Sequence, residues 1–181
     1  MTRKHILILF MIIATSGMVV YFIEQMNINR SLLYALIFAV TIGKIFFFLT
    51  NSYKKLIHIS RSNITYFGFL LFVSMNIFLM VVSFCVDYFC IFIIDPNSFS
   101  GVEDATTIPA QLFKFFYLSF LLFTNMGVAN VVPVTMPAEC MVMFEAIISF
   151  ITIIFILSDF VNLKDSLLTL GKDTKNDQVK S

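Results

Sequence analysis

The chain has 181 residues, of which 59% are hydrophobic and only 13% are charged, and 23 of them are phenylalanine. A soluble domain of this length could not keep so much apolar side chain away from water, so the composition predicts an integral membrane protein. The formal net charge of +1 gives no electrostatic basis for binding nucleic acid.

Two apolar stretches near the amino terminus are predicted to be transmembrane helices. Residues 6–23 are just long enough to cross a hydrocarbon core of about 30 Å, and a cleaved signal peptide is the alternative interpretation. Residues 32–50 form the second predicted span. They carry Lys44 near their end, where its side chain is expected to reach the lipid headgroups. A basic loop follows this span.

Two further apolar stretches, residues 64–94 and 138–157, are predicted to complete four crossings. The first of them is too long for one perpendicular crossing, so it is expected to tilt or to project, with Asp87 at or beyond the outer interface. After the last span comes a polar tail, which is too short to form a domain. No order is expected in this tail beyond Gly171.

These elements predict three parts of the chain and one orientation. Residues 1–63 hold the first two spans and the basic loop, residues 64–163 hold a second membrane unit, and residues 164–181 form the polar tail. Basic residues concentrate at the amino terminus, in the loop after the second span and in the tail, whereas the segment after the third span is acidic. The positive-inside rule therefore predicts a multi-pass protein of the cell membrane with both termini in the cytoplasm.

Between the third and fourth spans lies an aromatic stretch, residues 109–123, that is short for a crossing. It begins with Pro109, a residue favoured in the first turn of helices, and it breaks at Asn125-Met126-Gly127. Non-helical backbone at membrane depth is tolerated only where it is buried in protein or lines water. The stretch is therefore predicted to be a re-entrant helix that enters from outside without crossing.

The segment around this break resembles the pore segment of potassium channels. That family typically reads aromatic-x-Ser, several apolar residues, Thr-Thr-Val-Gly-Tyr-Gly-Asp, two apolar residues and Pro-Val-Thr. The positions of this chain that match the family pattern are Tyr117, Ser119, Thr124, Gly127, Pro133, Val134 and Thr135. In the last span, Glu145-Ala146-Ile147-Ile148-Ser149 looks like the family's inner helix. The resemblance covers residues 108 to about 160.

The resemblance implies a homotetrameric channel in which four filter loops surround one axis, with potassium or another monovalent cation as the permeant ion and no cofactor. The implied filter residues are Thr124, Asn125, Met126, Gly127, Val128, Ala129 and Asn130. In this loop the family's tyrosine, second glycine and aspartate are replaced by Val128, Ala129 and Asn130. Because glycine adopts backbone conformations that cost other residues energy, these departures predict weakened potassium selectivity.

Four residues of the last span are predicted to line the pore, namely Ser149, Phe150, Ile153 and Leu157. The last three share one helix face, which could equally face lipid or another helix. Ser149 stands where many family members have a hinge glycine, and it could instead bond to its own backbone. Of two acids, Glu145 is expected to brace the filter, and Asp159 either concentrates cations at the inner mouth or ends the helix in solvent.

Other functional classes are weaker interpretations of the sequence. Intramembrane catalysis needs paired polar groups at depth, and no Ser–His or acid pair suggests one, so an enzyme is not predicted. The expected partners are further copies of the chain and the lipid bilayer, with no small-molecule substrate. A non-conducting tetraspan accessory, immunity or assembly protein is the alternative, and it would explain a filter without Gly-x-Gly. Stoichiometry and conductance distinguish the two.

Overall fold

The computed structural model describes residues 30–59, 66–127 and 130–179, and most of these residues are helical. The four helices are α1 (Arg30–Ile59), α2 (Tyr66–Ile94), α3 (Ile108–Phe123) and α4 (Met136–Val179). Helices α1, α2 and α4 each contain an apolar segment long enough to cross a membrane. This agrees with the predicted all-α membrane protein. The first predicted span, residues 6–23, lies outside the described residues.

The membrane-length segments are close to the predicted spans. They are Arg30–Phe48, Val73–Ile94 and Met136–Ser158. The carboxyl-terminal tail differs from the prediction, because α4 continues without interruption through Gly171 to Val179. The last proline of the chain, Pro137, lies in the first turn of α4, where its missing amide would have no partner within the helix.

Helix α2 is the central element, since it packs against α1, α3 and α4. The core around it is aromatic. The Phe115 ring of α3 is fully buried, and the rings of Tyr88, Phe89, Phe92 and Phe99 surround it with centroids 5.1–6.5 Å away. Edge-to-face and tilted contacts at these distances stabilise aromatic pairs beyond their buried area. This cluster fixes α3 against the last turns of α2.

A small antiparallel sheet joins the chain before α3 to the chain after it. Strand β1 (Phe99–Ser100) pairs with strand β2 (Val132–Pro133), so that Phe99 lies opposite Pro133. A single 3₁₀ turn, Pro96–Ser98, leads from α2 into β1. The pairing brings the two ends of the segment that contains α3 together in space.

Candidate functional site

Helix α3 is the short apolar helix that the sequence predicts between the last two spans. Its 16 residues extend about 24 Å, less than the roughly 30 Å of a hydrocarbon core. Thr107 precedes the helix in an extended conformation, and Pro109 lies in its first turn. One face is buried, with Phe115 and Ser119 inaccessible, while Phe113 is 68% exposed. The helix therefore has one face packed within the chain and one face open.

The carboxyl end of α3 is closed by a Schellman motif. The amide of Met126 donates to the carbonyl of Leu121 at 3.0 Å, and the amide of Asn125 donates to that of Leu122 at 3.1 Å. Asn125 adopts the left-handed conformation that this motif requires, with φ 55°. The Thr124 hydroxyl also turns back to its own helix and donates to the Phe120 carbonyl at 3.0 Å. The sequence predicts Thr124 and Asn125 to be filter residues, and in the structure they terminate the helix.

The loop beyond this cap lies on the open side of the molecule. Gly127 has φ 67°, and a Cβ at this position would meet no other atom within 4 Å. The described filter residues are all exposed, and they are Thr124, Asn125, Met126, Gly127 and Asn130. The two remaining filter positions, Val128 and Ala129, lie outside the described residues. These described residues are thus accessible to other copies of the chain.

The chain on either side of α3 is joined by a close backbone approach. Gly101 follows β1 with φ 82°, and a Cβ there would lie 2.0 Å from the carbonyl oxygen of Asn130. The Lys114 ammonium of α3 donates to the Gly101 carbonyl at 2.7 Å. Its other contact is at 3.8 Å to Asp104, whose side chain is 96% exposed, and such an exposed pair contributes little. Backbone contact therefore fixes the position at which the loop after α3 ends.

A buried polar cluster holds α3 from behind, and we call Tyr88, Ser119 and Glu145 the glutamate cluster. All three side chains are inaccessible to solvent. Ser119 donates its hydroxyl proton to the Glu145 carboxyl group at 2.5 Å, and the Tyr88 hydroxyl donates to the other Glu145 oxygen. The carboxyl group thereby ties α4 to both α3 and α2. Sequence reasoning identified Glu145 as a bracing residue but found neither partner.

A second polar cluster, called the lysine cluster, consists of Thr41, Lys44 and Asp87. The Lys44 ammonium lies 2.5 Å from one Asp87 oxygen, and the Thr41 hydroxyl donates to the other at 2.9 Å. None of these residues is more than 4% exposed. The expectation that Lys44 extends to the headgroups is therefore wrong, because its ammonium is buried against Asp87. A buried ion pair costs less than two separate charges, and it holds α1 on α2.

The predicted pore-lining residues of α4 fall on two sides of that helix. Phe150 and Leu157 are 59% and 60% exposed, whereas Ile153 is partly buried against the core. Ser149 is fully buried, and its hydroxyl has no hydrogen-bond partner among the described residues. Asp159 lies within α4. Five of the exposed apolar residues of α4 form a stripe in which neighbours are three or four residues apart: Met143, Ile147, Phe150, Ile154 and Leu157.

No protein-family model, curated protein or solved structure matches this chain. The assignment of the site therefore depends on the residues and their geometry.

The lysine cluster and Tyr88 are the polar groups that sequence reasoning missed. One signal was present, since an ionisable residue within a membrane span is expected to have a partner. Lys44 and Asp87 are such residues of opposite charge in two different apolar stretches. Tyr88 gave no signal of its own, because a tyrosine in an aromatic-rich helix is ordinary core.

Proposed function

We propose that the chain forms a homotetrameric channel that conducts monovalent cations, with a weaker preference for potassium than the potassium channels its sequence resembles. One observation carries the proposal. Helix α3 is too short to cross a membrane, and it ends in the left-handed cap at Asn125, directly before an exposed non-helical loop. Spanning-length segments lie on both sides of it. Such a loop at membrane depth is compatible with a bilayer only when it lines water or lies between proteins.

Electrostatics favour a cation as the permeating species. The carboxyl end of a helix carries about half a negative charge, and α3 ends at the filter loop. Residues 124–130 contain no lysine, arginine or histidine that would repel a cation. Four such helix ends around one axis would sum their potentials at the centre of the tetramer. The proposed loop is therefore attractive to cations even without a complete potassium-channel filter.

The exposed stripe of α4 supports assembly of several copies. Its five members (Met143, Ile147, Phe150, Ile154 and Leu157) recur every three or four residues, which is the spacing of helices that pack along a common seam. In the proposed tetramer this stripe lines the inner part of the pore and also packs against the neighbouring copies. Phe150 and Leu157 then form a hydrophobic constriction below the filter, without Ile153, which the sequence places on the same face but which packs against the core.

The proposed orientation places both termini in the cytoplasm of a multi-pass protein of the cell membrane. Residues 6–23 supply the first of four crossings, and α1, α2 and α4 supply the others. Helix α3 then enters from the outer side. This arrangement puts the acidic segment before α3 outside and the basic loop after α1 inside, as the positive-inside rule requires.

The filter substitutions provide the test of this function. The purified protein is placed in a planar bilayer with potassium on one side and sodium on the other. It should conduct, and its reversal potential should correspond to only a weak preference for potassium over sodium. Restoring the family residues through Val128→Tyr, Ala129→Gly and Asn130→Asp should move that potential toward the potassium value. Ala39→Gly, on the exposed face of α1, is the matched control and should leave it unchanged.

Two results would contradict the proposal in different ways. A wild-type chain as selective as the resembling family would mean that Ala129 is accommodated without loss. If the wild type and the triple variant are both silent under every voltage, pH and ion condition, the non-conducting accessory protein is the better assignment.

A further inference from the structure

The lysine and glutamate clusters meet on two adjacent residues of α2. Asp87 belongs to the lysine cluster, and Tyr88 belongs to the glutamate cluster. Successive residues of a helix point about 100° apart. The carboxylate of Asp87 therefore faces α1, while the hydroxyl of Tyr88 faces α4, and the two clusters share one piece of rigid backbone.

The lysine cluster joins α1 to the part of α2 that carries Asp87 and Tyr88. Lys44 and Asp87 are both nearly inaccessible, and their charged atoms are 2.5 Å apart. Thr41 holds the second carboxylate oxygen, so both oxygens of Asp87 are occupied. Asp87 thus has two buried hydrogen bonds to α1, one from Lys44 and one from Thr41, which restrict sliding and rotation of α1 on α2.

The glutamate cluster connects this part of α2 to α3 through Glu145 of α4. The hydroxyls of Tyr88 and Ser119 each donate to one oxygen of Glu145, and the Val81 carbonyl of α2 lies 3.1 Å from the same Ser119 oxygen. Ser119 lies only five residues before Thr124, where α3 ends. Because these contacts connect α2 and α4 to α3, a shift of α2 acts on the last turn of α3.

We propose that Lys44 and Asp87 are positioning residues for the loop after α3, so that α1 controls the geometry of the filter through the Tyr88–Glu145–Ser119 contacts. Helix α1 is then a working part of the pore and not only an additional anchor. The proposal rests on the proposed function for its ion readout alone, since the structural coupling can be measured in a protein that does not conduct.

Hydrogen exchange of the full chain in lipid nanodiscs tests the coupling directly. The reporters are the amides of Thr124, Asn125 and Met126, which bond to carbonyls in the last turn of α3. Lys44→Met should raise their exchange rates by about fivefold or more, which is the size of coupling found between linked sites. Thr50→Val is the control, because the hydrogen bonds that its hydroxyl makes among the described residues are to Phe46 and Phe47 of the same helix. It should leave the three rates unchanged.

A neutral double variant separates positioning from general stability. Lys44→Met with Asp87→Leu removes both charges, so it leaves no unpaired buried ion, and its resistance to unfolding should recover. Fast exchange at residues 124–126 should persist, because the hydrogen bonds that join α1 to Asp87 are still absent. Exchanging the charges, with Lys44→Asp and Asp87→Lys, should restore slow exchange at least in part.

The outcomes divide the two proposals. Wild-type exchange at residues 124–126 in the neutral double variant would overturn the positioning role and leave only a structural ion pair. In bilayers, Lys44→Met should shift the reversal potential in mixed potassium and sodium, and Thr50→Val should not. If exchange responds but every variant and the wild type are silent, positioning stands and the channel function fails. If the wild type conducts and neither readout responds, the reverse holds.

Discussion

Among single residues, Tyr88 is the most informative partner of Glu145. Its ring packs near Phe99 and Phe115, and its hydroxyl supplies one of the two hydrogen bonds to the carboxyl group. Tyr88→Phe keeps the ring and removes only the donor. Since the carboxyl oxygen then lies buried without that partner, the free energy of unfolding should fall by about 1–3 kcal/mol. Unfolding by sodium dodecyl sulfate in mixed micelles measures it.

Tyr117→Phe is the matched control for this variant. Tyr117 lies on α3 with 44% of its surface exposed, so removing its hydroxyl should change the unfolding free energy by less than about 0.5 kcal/mol. Equal losses in the two variants would contradict the role given to the Tyr88 hydroxyl.

Gly101 is a second residue whose role can be isolated. It has φ 82°, and a Cβ would overlap the Asn130 carbonyl oxygen at 2.0 Å. Gly101→Ala should therefore destabilise the protein by about 3 kcal/mol through backbone strain and displacement of the chain after the filter loop. Gly43→Ala is the comparison, because Gly43 lies in helix α1 and its Cβ would meet nothing within 4 Å. Midpoints of thermal unfolding in detergent should fall for the first variant and hold or rise for the second.

At the scale of elements, the end of α3 depends on the left-handed residue Asn125. Asn125→Ala should lower the free energy of unfolding by about 1 kcal/mol. At φ 55° alanine is less favourable than asparagine, which is one of the few residues other than glycine that adopt this conformation readily. Asn125→Gly should be neutral or slightly stabilising. The stability of the two variants in detergent is compared by heating samples and measuring, by size-exclusion chromatography, the temperature at which half of the monodisperse peak is lost. An alanine variant as stable as the glycine variant would show that the cap contributes nothing.

The helices themselves could be predicted from the sequence because the signal lies in the length of each apolar stretch. The predicted bounds 109–123 differ from α3 by one residue at the start, and the third stretch differs from α2 by two. Apolar length and a proline near the start decide these bounds locally. Helix α4 runs further than predicted, because polar residues after a span are compatible with either a coil or a continued helix.

The contacts of the polar side chains could not be predicted in the same way. Lys44 and Asp87 are 43 residues apart, and their pairing depends on how α1 and α2 are rotated about their axes. Nearly every residue of α2 is apolar, so no face of the helix is marked in the sequence as the one that packs. Only the packed structure selects the rotation. Glu145 could be singled out because an acid within an apolar stretch needs a partner, but the sequence did not specify which helix provides it.

At the scale of the whole molecule, the proposed tetramer predicts where copies of the chain approach each other. Leu157→Cys should form covalent dimers with short bifunctional maleimides in membranes, since this exposed α4 residue would face the shared axis. Leu71→Cys, 63% exposed on α2, is the control and should react with single maleimides without crosslinking. Both variants need Cys140→Ser, because that native cysteine is only partly buried. A Leu157→Cys chain that stays monomeric with every linker length would mean that the α4 stripe faces lipid.

The pairing of β1 with β2 has a consequence for how this protein can be recombined. The amide of Val134 also donates to the Ser98 carbonyl at 2.9 Å, so the chain from residue 98 to residue 134 leaves and returns at one place. Because the two ends of this segment are hydrogen-bonded to each other, the whole segment, here called the cassette, can be exchanged between related proteins with its own end-to-end contacts intact. Chimeras joined outside residues 98 and 134 keep the entire cassette and its backbone seal, whereas a crossover inside it separates the two strands. Insertions and exchanges in this region are therefore best tolerated as whole cassettes.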